Sequence, residues 1–174
     1  GSNNTAVGNT ALYKTSGSNN TAVGSNALLQ NTSGSDNNAL GYKSLYSNDT
    51  GINNTALGGN SLYNVSTGKN NIGLGYYSGS GLSTGDNNIF IGSQTTPTGI
   101  TTGSYNTIIG SNITSLSATL SNNIVLADGA GNIRAQHNGT AWDLKTTVKG
   151  VTETASDNST NLASTAFVTT AVAN

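Results

Sequence analysis

The chain has 174 residues, of which only 7% are charged, with a formal net charge of −1, no cysteine and no methionine. So low a charge supplies no basic stripe for phosphates and no acidic surface for cations, which argues against nucleic acid as a partner. Without cysteine there is neither a disulfide framework nor a thiolate metal site, and no stretch approaches the ~20 apolar residues of a membrane span, so no membrane insertion is expected.

In chain order the sequence is a repeat. Units begin GSNNTAVG (1–8), GSNNTAVG (17–24), GSDNNALG (34–41), GINNTALG (51–58), GKNNIGLG (68–75), GDNNIFIG (85–92) and GSYNTIIG (103–110), with a degenerate start LSNNIVLA at 120–127. The starts are 16, 17, 17, 17, 17, 18 and 17 residues apart. A period of this length is too short for a two-helix repeat of ~33–47 residues and predicts strand-rich coils stacked into a solenoid. The chain opens directly on a repeat unit and contains no Met, so a piece of something longer is expected.

Counting the first residue of each unit as position 0, position 3 is always Asn: Asn4, Asn20, Asn37, Asn54, Asn71, Asn88, Asn106 and Asn123. Asparagines in one register predict a structural ladder of stacked amides. Position 6 is always aliphatic and position 7 is Gly in the first seven units. Alternation along a strand puts positions 4 and 6 on one face and position 5 on the other. The aliphatic position 6 predicts the inward face. The row Ala6, Ala22, Ala39, Ala56, Gly73, Phe90, Ile108, Val125 at position 5 is then expected outside, where its small members let another chain approach.

A second apolar pair, Leu12-Tyr13, Leu28-Leu29, Leu45-Tyr46 and Leu62-Tyr63, predicts a return strand in each of the first four coils, and its loss afterwards predicts a changed cross-section near residue 76. The domain reading is a β-roll of about seven 17-residue coils over 1–120, an antiparallel β cap over 121–149, and a polar linker with a short helix over 150–174. In the cap, Asn138-Gly139 is the favoured pair for a two-residue hairpin turn, and Trp142 is expected to cover the open end of the roll. Ser159 or Asn161 is expected to cap the helix, through Thr165–Val172.

The strings NNTAVG, NNIFIG and YNTIIG resemble the repeat unit of YadA-like trimeric autotransporter adhesin heads, over about residues 1–126. That resemblance implies a left-handed parallel β-roll associated as a homotrimer, although the period there is nearer 14 residues. The segment NSTNLASTAFVTTAVAN (158–174) resembles a stretch that recurs in bacteriophage tail-fibre proteins, where it joins modules of trimeric fibres. No sustained heptad of the kind that follows an adhesin head is present.

For chemistry there is less. Carboxylates are scattered, no catalytic pair stands close in sequence, and no cofactor motif occurs, so no catalytic residue and no cofactor is assigned. His137, the only histidine, is read as a turn residue, with a ring of three copies around a metal as the alternative. Trp142 carries a sugar-stacking alternative. The resulting expectation is a non-enzymatic segment of an extracellular trimeric tail fibre, on a virion, that spaces or presents a receptor-binding tip. Its partners would be a host-surface glycan or protein receptor and other fibre or virion proteins. The alternatives are the head of a bacterial cell-surface adhesin and, third, a fibre-borne polysaccharide-degrading enzyme. An ice-binding solenoid fits less well, because Asn38, Ile72, Ile89 and Ile124 break the row of threonines at position 4.

Overall fold

A computed structural model describes residues 1–96 and 99–145. Eight short strands follow one another in chain order: β1 (Thr5–Val7), β2 (Thr21–Val23), β3 (Asn38–Leu40), β4 (Thr55–Leu57), β5 (Ile72–Leu74), β6 (Ile89–Ile91), β7 (Thr107–Ile109) and β8 (Ile124–Ala127). Each pairs in parallel with the next, and equivalent repeat positions face one another, as in Ala22↔Ala39 and Phe90↔Ile108. The described residues are all-β, without a helix, and form a β-solenoid. β9 (Ile133–His137) then turns back antiparallel on β8, and β10 (Trp142–Leu144) antiparallel on β9, which ends the ten-stranded sheet. The linker, the helix and its Ser159 or Asn161 cap lie outside the described residues.

Two expectations are corrected. The faces of the strand are reversed: position 5 points inward, with Ala22, Ala39, Ala56, Phe90, Ile108 and Val125 buried to within 1% exposure. Position 6 points out, so that Val7, Leu40, Leu57, Ile91, Ile109 and Leu126 are exposed. The reason is the width of the roll. Leu28, Leu45 and Leu62 enter the core from the opposite wall and leave room only for alanine or glycine on the strand.

The second correction concerns the return segment, which is a run of turns and not a strand. Two residues in each of the first four coils are left-handed, as in Asn26 (φ 58°) and Leu28 (φ 49°), or Lys43 (53°) and Leu45 (48°). Leucine in this region is strained. Burial of its side chain and hydrogen bonds between coils hold it there: Leu28 N–H donates to Ser44 O at 3.0 Å, and Gln30 N–H to Tyr46 O at 3.1 Å. A third left-handed position, two residues into each unit, explains the first Asn or Asp of the repeat, because these side chains tolerate that conformation best after glycine. It is held by Asn3, Asn19, Asp36, Asn53, Asn70, Asn87 and Asn122, with Tyr105 as the exception. The Gly at position 7 marks close approach of coils. At Gly41 (φ 137°) a Cβ would stand 2.6 Å from Gly58 O.

Candidate functional site

The asparagines at position 3 form the spine. Asn37 is typical: its N–H and Nδ2 both donate to Asn20 Oδ1, at 3.0 and 3.2 Å, and Nδ2 also donates to Gly51 O at 2.8 Å. Asn71, Asn88 and Asn106 repeat the pattern, each fully or almost fully buried. One amide therefore links its own coil to the preceding and following ones, and a buried polar group is satisfied by its counterpart. The cap closes the spine: Gln136 Nε2 of β9 donates to Asn123 Oδ1 at 2.8 Å. Nothing in the repeat marks this contribution of the cap, since only strand register places Gln136 opposite the spine.

A second, shorter ladder runs beside it. Asn48 Nδ2 donates to Asn31 Oδ1 at 2.6 Å, and Asn31 Nδ2 to Thr15 Oγ1 at 2.9 Å. At the next coil the row turns apolar with Val65, and Asn48 Oδ1 is left buried without a donor.

Outside, the reversed strand face makes an apolar stripe the length of the rod, formed by position 6 and reinforced by Ile72, Ile89 and Ile124 at position 4. Exposure runs from 58% at Val7 through 49% at Leu40 and 46% at Leu57 to 38% at Leu126. Aliphatic side chains in one continuous row, in a chain otherwise rich in Asn, Thr and Ser, form an exposed apolar surface.

The cap hairpin differs from its sequence reading. Its loop is four residues, Asn138 to Ala141, and Asn138 Oδ1 accepts from the N–H groups of Thr140 and Ala141. Trp142 does not close the roll: it is 53% exposed and meets His137 edge-on at 5.1 Å, while Ile133 is the cap residue that packs against the core. His137 ends β9, and its Nδ1 accepts from Gly139 N–H at 3.1 Å. Among the described residues no three His, Cys, Asp or Glu side chains gather as metal ligands.

At the β8–β9 reversal Asp128 accepts from Ala130 and Asn132 N–H, from Asn132 Nδ2 and from Arg134 Nε and Nη2. The Asn132 amide, then Arg134 and the backbone donors, hold its carboxyl well below the usual aspartate range. Asp36 and Asp86 stand three coils apart, roughly 14 Å along the stack at ~4.8 Å per rung, too far for paired acid–base work. Asp36 accepts from Asn19 Nδ2 and Asp86 from Lys69 N–H, so both serve the stacking of coils.

No protein-family model, no curated protein and no solved structure matches this chain.

Proposed function

We propose that this chain is a non-enzymatic, structural and adhesive segment of a trimeric bacteriophage tail fibre or related extracellular appendage, a stiff rod that spaces or presents a host-receptor-binding tip. The observation that carries this reading is the apolar stripe on the outer strand face. Three parallel copies around a common axis would each turn the same row inward, so that Leu40, Leu57 and Ile91 meet their own counterparts rung by rung. Closed cyclic symmetry buries such a face completely, whereas a monomer leaves it in water. The interface is thus assigned to position 6 and not to the alanine row. The resemblance of 1–126 to trimeric adhesin heads supports the same assembly, and that of 158–174 to tail fibres favours a virion over a bacterial surface.

Sedimentation under native conditions tests the assembly, and three chain masses are expected. A single mass sinks the trimer. Competition by the purified chain against phage adsorption tests attachment. Adhesion that depends on an outer-membrane anchor in the flanking sequence moves the protein to the bacterial adhesins, and sugar released from host polysaccharide moves it to the enzymes.

A further inference from the structure

Five of the seven tyrosines fall within coils three to five, on the turns beyond the strands. Tyr46 and Tyr63, equivalent residues of adjacent coils, stack with centroids 5.0 Å apart and planes 3° from parallel. Tyr42 and Tyr76 are each more than half exposed, and Tyr76 meets Tyr77 edge-on at 4.6 Å. Gly59, between them in the stack, gives Tyr76 its place: a Cβ there would lie 3.4 Å from the ring. Lys43 Nζ stands 5.2 Å from the Tyr42 centroid and 5.6 Å from that of Tyr46.

The fold does not require these side chains. Leu29 and Ser80 occupy the Tyr46/Tyr63 position in flanking coils, Ser25 and Ser93 that of Tyr42, and Asn26 and Asn60 that of Lys43. Nor does any carboxylate among the described residues neutralise the ammonium. The ion pairs among the described residues are Asp128–Arg134 and Asp143–Lys145, so of those residues Lys43 faces aromatic rings and no carboxylate. Tyrosine offers an apolar ring face with a hydroxyl at its rim, which matches a pyranose, with C–H groups on its faces and hydroxyls around its edge. A cation held among the rings adds a preference for an anionic group.

We infer that Tyr42, Lys43, Tyr46, Tyr63 and Tyr76 form a binding platform for a carboxylate-bearing saccharide, with sugar faces on the tyrosines and the carboxylate on Lys43. The platform takes its biological setting from the adhesive reading above, and it does not depend on the trimer.

The test uses a panel of uronate- and sialate-containing oligosaccharides and uncharged oligosaccharides of equal length, titrated calorimetrically into the intact chain at fixed ionic strength. Three substitutions copy residues that flanking coils already hold at the same positions: Tyr46→Leu, Tyr63→Ser and Lys43→Asn. Saturable binding of an acidic oligomer is expected. The Tyr46→Leu/Tyr63→Ser pair should weaken it about tenfold or more, from ~0.5–1.5 kcal/mol per aromatic contact. Lys43→Asn should reduce affinity for the acidic oligomer to that for the neutral one. Binding of no saccharide, binding untouched by the tyrosine pair, or indifference to charge overturns the proposal. So does a tyrosine pair that changes mass in solution instead of saccharide affinity, which makes the cluster a contact between copies. Saccharide binding by a monomer removes the trimer and leaves the platform standing, whereas a trimer without it does the reverse.

Discussion

Phe90 occupies the space that a side chain at Gly79 would need: a Cβ on Gly79 would stand 2.5 Å from Phe90 Cδ2. Eleven residues separate them, and the same interval joins Leu62 to Gly73, where a Cβ on the glycine would lie 2.8 Å from Leu62 Cγ. Large and small residues have exchanged walls between these two rungs. Phe90→Ala should destabilise the rod by about 3–5 kcal/mol through the cavity it leaves, and Gly79→Leu should do so by overpacking. The double substitution rebuilds the leucine–alanine arrangement of the earlier coils, at a φ of 61° close to that of their leucines. Denaturant unfolding of all four proteins should show the double variant more stable than either single one. Additive losses would refute the exchange.

Asn71 shows what the spine contributes. Its Oδ1 accepts from Asn88 N–H and Nδ2, and its own Nδ2 donates to Asn54 Oδ1 and Gly85 O, all at 2.9–3.1 Å. Asn71→Ala strips partners from several buried groups at once, at about 1–3 kcal/mol for each one left unpaired. The exposed Asn64, on a turn outside the spine, places Nδ2 on Ser80 O at 2.8 Å, so Asn64→Ala should cost under half as much. Thermal unfolding of the two variants makes the comparison, and equal losses would mean that the amides do not act as a ladder.

The orphaned Asn48 Oδ1 makes Val65 an unusual core position. Asn31 and Asn48 each place Nδ2 on the carbonyl of the glycine three residues on, Gly34 and Gly51. An asparagine at 65 would reach Gly68 O and Asn48 Oδ1 in the same way. Val65→Asn moves the unpaired acceptor one rung along and adds no second one, so its cost should stay within about 1 kcal/mol. Leu82→Asn, with no asparagine below it, should cost about 2 kcal/mol or more, as an amide in an apolar site. Similar losses for the two in denaturant unfolding would show that the short ladder does not extend.

Register and stacking were legible because the repeat writes them out: an invariant Asn, and a Gly in seven of the eight units, at near-constant spacing place the rungs before any contact is known. The inward face was not. Over a three-residue strand the alternation of Thr5-Ala6-Val7 gives two readings, and hydrophobicity alone favours the wrong one, since the exposed row at position 6 is more apolar than the alanine row that faces the core. The signal that decides lies eleven residues away, in the inverse sizes of Leu62 and Gly73 and of Gly79 and Phe90. The turn conformation of the return segment was hidden for another reason. Leu28 and Leu45 have no intrinsic tendency to positive φ, and burial together with bonds to neighbouring coils imposes it. Gln136 on Asn123 is likewise a product of strand pairing across the reversal.

Substitutions on opposite faces of one strand separate assembly from folding. Leu57 is 46% exposed on the stripe, and Ala56 beside it is buried at 1%. Leu57→Lys places a charge where the proposed copies meet and should shift the sedimenting species from three chains to one while each chain keeps its β-rich circular dichroism. Ala56→Lys drives the charge into the roll and should abolish folding itself. A trimer that survives Leu57→Lys would move the interface off the stripe.

Asp128 makes the cap sensitive to acid. Its carboxyl is held below the ordinary aspartate range in the folded chain, so this contribution is full above the unfolded-state value of about 4 and is lost as pH falls below it. The loss is local, because the carboxylate serves the β8–β9 reversal through Asn132, Arg134 and Ala130, while the spine contains no titrating group. Relative to the intrinsic rate at each pH, amide exchange below pH 4 should therefore become faster first at Ala130 and Asn132 and leave Asn71 and Asn88 protected. Asp128→Asn should give the faster exchange at neutral pH and remove its acid dependence. Uniform loss of protection along the rod on acidification would show that the reversal and the coils open together.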